Sequence, residues 1–442
     1  MKLEAERVKC DICGSEDNSV INEKKPWTAS PTIRDDEGDS FHKVDVICNQ
    51  CGLIFKNPMI TKDSLEVFYK DFYAKIFRVE NVGAISKDAL NNAVVASVMF
   101  LAYMERIGFS FLGKKVFEVG SGFGCLAKGI QSFGASEVFG CEPDPRASDI
   151  ANKLFCNSIP CCSLNEYLAD PQYSGKKYDV IVMQSSLEHF HSPKQTIEAC
   201  KSILNEDGRI VVEVPSIHKI FCNTILDGFL SAAHNYTFSK DSLANLANLC
   251  GFEIENLDYA GHRSCMIAVL KRSSNPVSLI QMTDDEKHRI IKYMADHEHA
   301  VRSKEKVLTE LISDINVYSS ILSKIDTEFY AMSNFYRITG SNLLLERGHI
   351  YEALEFLKDF SPDQPIDEDI CEGTRLYLMA MAARQMGDFV KAYDLLEQAM
   401  KAYPPYRKYN FTRDLTIDGV LSETVCSSKM WWNAERVFCS LG

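Results

Sequence analysis

Hydrophobic positions along the chain fall into short runs separated by segments of helical period. Val116-Phe117-Glu118-Val119, Val138-Phe139-Gly140-Cys141, Tyr178-Asp179-Val180-Ile181-Val182-Met183 and Ile210-Val211-Val212-Glu213-Val214 are apolar and rich in β-branched residues. Runs of this length and composition predict buried strands. Cys125 to Phe133, Arg146 to Phe155 and Lys240 to Cys250 read as helices, the last closed by Gly251 before a further strand from Phe252. Strands alternating with helices predict an α/β layer with a largely parallel sheet. Upstream, Asp63 to Tyr73 is an aromatic-rich amphipathic segment (Phe68, Tyr69, Phe72, Tyr73), and Asp88 to Ile107 is apolar enough in its middle to be a buried helix. Downstream, Asp284 to about Tyr330 reads as a charged helix. Beyond residue 335 two helical stretches align, with Gly348 matching Gly387 and Ala353 matching Ala392, so the small residues mark close helix contacts.

The first strand runs into Glu118-Val119-Gly120-Ser121-Gly122-Phe123-Gly124. Three alternating glycines let the backbone turn sharply into the following helix and let a bulky ligand lie against it. A dinucleotide fingerprint requires G-x-G-x-x-G, and its last position here is Cys125, so that fit fails. The next strand ends in Glu142, about 20 residues on, where βαβ nucleotide folds place an acid against ribose hydroxyls. Cys10-Asp11-Ile12-Cys13-Gly14 and Cys48-Asn49-Gln50-Cys51-Gly52 form a pair of C-x₂-C-G knuckles. Four thiolates at Cys10, Cys13, Cys48 and Cys51 can close a tetrahedral zinc site. Two disulfides or a redox C-x-x-C are the alternatives, and the paired knuckles disfavour both. The long gap between the pairs places Trp27 and Pro31 on an inserted loop.

The E-x-G-x-G-x-G run resembles the first motif of class I S-adenosylmethionine-dependent methyltransferases. The later order matches that family over roughly 112 to 272: a strand, the loop Leu187-Glu188-His189 to Pro193, a helix, the turn Leu204 to Gly208, and a strand. The resemblance implies that Glu118, Gly120, Ser121, Gly122, Gly124, Glu142, Pro143, Cys162 and Gln184 line an S-adenosylmethionine site, with Glu142 on the ribose and Cys161-Cys162, after a short third strand, beside the adenine. It implies that the helices before the motif cover the pocket, where Tyr69 or Tyr73 either touches the ligand or simply packs. The cysteine module, with Cys51-Gly52-Leu53-Ile54-Phe55-Lys56-Asn57-Pro58, resembles the N-terminal zinc module of sugar C-methyltransferases. In those enzymes the loop containing Ala233-His234 faces the acceptor and often carries Glu-His, so Ala233 departs from the pattern and weighs against C-methylation. As catalytic base the resemblance and the reference pKa of imidazole favour His234, with His189 and Glu188 as runners-up and Tyr236 as a helper. The C-terminal pair of stretches resembles tetratricopeptide repeats.

The resulting expectation is a Rossmann-like α/β methyltransferase core, preceded by a small zinc-ribbon-like module and followed by an all-α helical-repeat domain. The boundaries are 1–60, 61–275, 276–334 as a helical connector, and 335–442. A net charge of −13 disfavours a nucleic-acid partner. The chain has no apolar stretch of transmembrane length and its first residues are charged, which points away from a membrane and toward the cytoplasm. Sixteen cysteines suit that compartment if four bind metal and the rest are thiols. The favoured activity is methyl transfer to a small-molecule acceptor, an activated or nucleotide-linked sugar first. Two alternatives stand beside it: methylation of a protein docked by the repeats, and a cofactor-binding scaffold that recruits a partner or self-associates through the C-terminal helices.

Overall fold

The computed structural model describes residues 4–24, 43–69, 79–81, 84–85, 87–155, 159–220, 225–231, 233–259, 264–273, 278–327, 333–359 and 372–402. Trp27, Pro31, Phe72, Tyr73 and the chain after 402 lie outside them. Contacts divide the chain into two compact units. Of the described residues, one comprises those within 4–217 and 230–287 and the other those within 218–229 and 288–402.

The first unit opens with a four-stranded antiparallel sheet. Strands β1 (Asn18–Lys24), β2 (Lys43–Cys48) and β3 (Ile54–Lys56) are neighbours in sequence. The chain then enters helix α1 (Lys62–Val67), whose N-terminus is capped by the Thr61 hydroxyl accepting from the Ser64 N–H. Helix α2 (Lys87–Arg106) follows. The central layer is built from β4 (Lys115–Val119), α3 (Cys125–Ser132), β5 (Glu137–Cys141), α4 (Pro145–Phe155), α5 (Leu164–Ala169), β6 (Tyr178–Gln184), α6 (Pro193–Ile203) and β7 (Leu204–Pro215). It finishes with β8 (Tyr236–Thr237), α7 (Lys240–Leu249), β9 (Phe252–Asp258) and β10 (Cys265–Arg272).

The large sheet has the order β9-β10-β7-β6-β4-β5. Pairs β4–β5, β4–β6 and β6–β7 are parallel, and β10 is antiparallel to both its neighbours. This is a Rossmann-like methyltransferase fold with a mixed sheet. Its strands are apolar on both faces, as buried parallel strands must be. Phe117, Val119, Ile181, Met183, Val212 and Val214 serve one cluster, while Val116, Val180, Val182 and Val211 serve the other with Phe100, Leu101 and Leu126.

Two details differ from the sequence expectation, and a third lies outside the described residues. The turn expected at 204–208 is a four-residue irregularity inside β7: Tyr178 pairs with Leu204, and the next pair is Val180 with Arg209. The short third strand expected ahead of Cys161 is not among the described residues. The boundary at 60 does not separate two units. Strand β8 pairs with β3, Tyr236 opposite Phe55 and Thr237 opposite Ile54, and completes the N-terminal sheet. Cys10, Cys48, Cys51, Leu53, Phe55 and Met59 share one apolar cluster with the central layer. A module this small has little core of its own and stabilises itself by joining its neighbour's.

The second unit is helical. The charged segment expected as one helix is two: α8 (Asp284–Ser313), most of which belongs to this unit, and α9 (Tyr318–Thr327). Between them Asp314 accepts from the Asn316 N–H and starts a new turn. Helices α10 (Ser333–Glu346), α11 (Ile350–Phe356), α12 (Glu372–Gln385) and α13 (Phe389–Ala402) follow. Gly348 and Gly387 have φ near +80° at the equivalent turns α10–α11 and α12–α13. Ala353 and Ala392 are buried in this unit's own apolar cluster. The two pairs are unequal, since α11 has seven residues and α13 fourteen. No described helix is long and apolar enough to cross a membrane.

Candidate functional site

The glycine turn sits at the C-terminal end of β4, where α/β sheets open a crevice for ligands. Gly120, Gly122 and Gly124 all have positive φ, and Gly124 is the left-handed N-cap of α3. The N–H groups of Gly120 and Ser121 both donate to the Cys141 carbonyl at 3.0 Å. Gly140 on β5 lets this loop approach: a Cβ there would lie 2.8 Å from the Glu118 carbonyl oxygen. Glu142 then closes the arrangement. Its Oε2 accepts the Gly122 N–H at 2.7 Å and its Oε1 accepts the Asp144 N–H at 3.0 Å. A carboxylate has about four acceptor positions, and these two bonds use two of them. Glu118 lies behind the turn, buried. Burial, and then the Glu142 charge, push its carboxyl up to about 8, so it is largely protonated at neutral pH.

A cleft opens over this turn. Val119, Gly120, Cys141, Glu142 and Pro143 line one wall, Ser185, Ser186, His189, Phe190 and His191 a second that meets it where Ser186 touches Val119, and Lys62, Leu65, Glu66 and Tyr69 of the α1 segment a third. Ser163, Leu164 and Asn165 complete it beside Pro143. Of the expected cofactor residues, Gly120, Glu142 and Pro143 line the cleft, and Ser121, Gly122 and Gly124 form the turn beneath it. Cys162 is half-buried one position before the lining segment 163–165. Gln184 points elsewhere: its Nε2 donates to the Ala96 carbonyl of α2 at 2.9 Å. That bond makes Gln184 a brace between β6 and α2, a correction to its assignment as a ligand contact.

His189 lines the cleft, and behind it side chains from separate loops meet. His189 follows β6 and His234 precedes β8, and their rings meet edge to face with centroids 5.0 Å apart. The two rival bases are therefore neighbours. His189 Nδ1 lies 2.8 Å from the Tyr69 hydroxyl and 2.9 Å from the Ala233 carbonyl. Glu188 is buried, with Oε1 3.8 Å from His189 Nε2 and with no hydrogen-bond partner at Oε2. Burial, and then the neighbouring Glu213 carboxylate, push its carboxyl up to about 8. Tyr236 does not join this group. Its hydroxyl donates to the His191 carbonyl at 2.8 Å, deep in the core, and burial raises its pKa well above the ordinary phenol value. It is a strut for the His189–His191 loop, and the helper role expected of it is corrected.

Sequence reasoning missed several contributors. Ser185 is the only described non-glycine residue with positive φ (47°), and its hydroxyl donates to Glu213 at 3.0 Å. A residue held there at the edge of a cleft is a frequent mark of a functional loop. Ser186 donates to the Val119 carbonyl at 2.9 Å, tying this loop to the glycine turn. Asp11, between two of the cysteines, accepts from the Ser192 hydroxyl at 2.7 Å and from the Lys194 N–H at 2.9 Å, so it caps α6 from outside. No local sequence signal marks any of these except the acid placed between Cys10 and Cys13.

The four cysteine sulfurs lie within 4.8 Å of one another, with Cys10–Cys51 and Cys13–Cys48 each at 3.4 Å. Four sulfurs around one zinc ion are about 3.8 Å apart, given a Zn–S bond of about 2.3 Å and tetrahedral angles. Each knuckle closes with a backbone bond, Gly14 N–H to the Cys10 carbonyl at 2.8 Å and Gly52 N–H to the Cys48 carbonyl at 3.0 Å. Both glycines have φ of +72°. Hydrogen bonds with Cys10 and Cys48, and then burial, push the Cys51 thiol up, so without a cation the four cannot all ionise. The donor set fits zinc.

Residues 95–257 match the family model described as a methyltransferase domain. The ubiquinone biosynthesis O-methyltransferase of Glaesserella parasuis serovar 5 (strain SH0165) is 29% identical over 118 residues, 25% of this chain and 50% of that protein. The protein of the same name from Idiomarina loihiensis (strain ATCC BAA-735 / DSM 15497 / L2-TR) is 30% identical over 115 residues, 25% of this chain and 46% of that one. The chain thus spans about half the length of these curated relatives. Among solved structures, magnesium protoporphyrin IX methyltransferase from Synechocystis PCC 6803 with bound SAH aligns at 18% identity and a TM-score of 0.35, over 48% of this chain and 99% of that one.

Proposed function

We propose that the chain is an S-adenosylmethionine-dependent methyltransferase acting on a hydroxyl of a small molecule. The observation that carries this reading is Glu142. It lines the cleft while its carboxylate is held by the Gly122 N–H of the glycine turn, inside the stretch that matches a methyltransferase domain. Gly120 and Pro143 complete the contacts for the nucleoside, and Ser163 to Asn165 face its base. The donor, when bound, supplies a methyl on a sulfonium that leaves as a neutral thioether. The protein's work is to hold the acceptor oxygen in line with that methyl and to let its proton go. His189, which lines the cleft, and His234, whose ring meets it, are the groups we assign to the proton, with Tyr69 and the Ala233 carbonyl against the His189 ring.

An activated or nucleotide-linked sugar is the favoured acceptor, on the likeness of the cysteine module to that of sugar methyltransferases. Ala233 in place of an acid, and relatives named as O-methyltransferases, favour oxygen over carbon. We assign a structural zinc ion to Cys10, Cys13, Cys48 and Cys51. A second reading, a protein substrate or a second copy of the chain docked on the tetratricopeptide-like helices, is favoured by exposed Tyr351, Phe389 and Val390 on the first turns of α11 and α13. Methyl-labelled donor incubated with the full chain and either pooled sugar nucleotides or protein extract decides between them. Label in the sugar fraction supports the first reading and label in protein the second. Absence of both label and S-adenosylhomocysteine binding ends both.

A further inference from the structure

Glu188, His189 and His234 come from two loops, and one ligand atom of each lies within 4.8 Å of the others. Their spacing is not that of an ordinary ion pair. A hydrogen-bonded imidazolium and carboxylate close to about 2.8 Å, whereas His189 Nε2 and Glu188 Oε1 stand 3.8 Å apart. Glu188 is 1% exposed and its Oε2 has no hydrogen-bond partner. A carboxyl in that state stays ionised only where a cation answers it, and otherwise keeps a proton, as burial favours here. Glu213, also buried, adds a second carboxylate nearby rather than relief.

The surroundings of His189 point the same way. Its Nδ1 faces the Tyr69 hydroxyl at 2.8 Å and the Ala233 carbonyl at 2.9 Å; the carbonyl can only accept, which favours the proton on Nδ1. Nε2 then carries a lone pair and faces Glu188. A ring whose far N–H is anchored on a backbone carbonyl while its near nitrogen faces a carboxylate is the usual arrangement of a metal-ligating histidine. Ligand atoms around a first-row divalent ion stand about 3–3.5 Å apart, at bonds of about 2.1 Å, so the Glu188–His189 pair has a few tenths of an ångström to close, and His234 lies within 4.8 Å of both.

We propose that Glu188, His189 and His234 hold a divalent transition-metal ion in the wall of the cleft, separate from the four-cysteine site. Two imidazoles and one carboxylate suit manganese, iron, cobalt or zinc, while four thiolates select zinc and bind manganese poorly. The inference rests on the methyltransferase reading for its role. An ion held there would attract the acceptor hydroxyl and lower its pKa, with His189 and His234 as its ligands in place of the proton-accepting role given to them above and the proton leaving to solvent.

Manganese is therefore the probe that separates the two sites. The full chain, with its cysteine site left as purified, is titrated with Mn²⁺ and the free ion is followed by electron paramagnetic resonance. S-adenosylhomocysteine binding is measured by calorimetry on the same samples. The expected result is about one Mn²⁺ per chain, with affinity at least about tenfold weaker in Glu188→Gln and in His234→Ala and S-adenosylhomocysteine affinity unchanged in both. Wild-type protein that binds S-adenosylhomocysteine but no Mn²⁺ overturns the ion and leaves the methyltransferase reading standing. Mn²⁺ bound equally by wild type and both variants also overturns the site. Mn²⁺ bound as expected by protein that never binds S-adenosylhomocysteine upholds the ion and removes the proposed activity.

Discussion

Two walls of the cleft are built in different ways. The glycine wall is made of backbone: three positive-φ glycines, two N–H groups on the Cys141 carbonyl, and one carboxylate stitched to the turn. Everything it needs lies between Glu118 and Asp144. The histidine wall is made of side chains. Tyr69, Glu188, His189 and His234 arrive from three separate segments and are aligned by contacts with the cysteine module and with β7. A backbone-built subsite is fixed by its own sequence, while a side-chain-built one is fixed by whatever braces its loops.

That contrast is most severely tested by removing the proposed metal ligands of the cysteine module. A structural zinc site in small modules contributes about 10–16 kcal/mol of apparent folding free energy. The double variant Cys10→Ser, Cys48→Ser is expected to lose its zinc by elemental analysis and to unfold the N-terminal sheet. Because Asp11 and Tyr236 brace the His189–His191 loop, turnover should be lost even where some S-adenosylhomocysteine binding survives. Stoichiometric zinc in that variant would remove the ligand assignment.

His234→Ala comes next. It is expected to lower kcat at least about a hundredfold while S-adenosylhomocysteine affinity by calorimetry stays put. Equal losses in both would mean that the two walls are not independent. If His189→Ala is the damaging change and His234→Ala is silent, the proton group is His189.

Glu142→Ala should do the reverse, weakening S-adenosylhomocysteine by about 1–3 kcal/mol, the range for a lost charge-assisted hydrogen bond. Turnover at saturating donor should change far less. Tight binding of a nicotinamide dinucleotide by the wild type would break the assignment of the glycine wall altogether.

The smallest effect is expected of Asp11→Ala. Loss of an N-terminal cap costs about 0.5–2 kcal/mol, with the carboxylate's interaction with the helix dipole included in that range. The unfolding midpoint of the first unit should fall by a few degrees, with zinc retained. A larger drop in kcat than in stability would show that the module positions the loop as well as supporting it.

What could be read from the sequence follows the same division. The strands, the glycine turn and Glu142 were legible because each depends on neighbours along the chain. Glu188 and His189 were legible as a pair after a strand. That His234 would lie against His189 was not, because nothing between residues 189 and 234 encodes the contact; the sheet order does. Tyr236 misled for a related reason. Its hydroxyl looks like spare chemistry until β8 pairs with β3 and turns the ring toward the His191 carbonyl. Gln184 was misassigned because its partner, the Ala96 carbonyl, lies on a helix far upstream. The boundary near residue 60 failed because two residues of late sequence complete an early sheet.

That late strand also sets an order of events at the ribosome. Phe55 and Tyr236, paired across β3 and β8, are roughly 180 residues apart. At synthesis rates of about 5–20 residues per second the edge of β3 waits on the order of ten to forty seconds for its partner. Over that interval the nascent cysteine module carries an open hydrogen-bonding edge, a ready template for a wrong strand. Early capture of its metal would keep the knuckles closed while the rest of the chain is made.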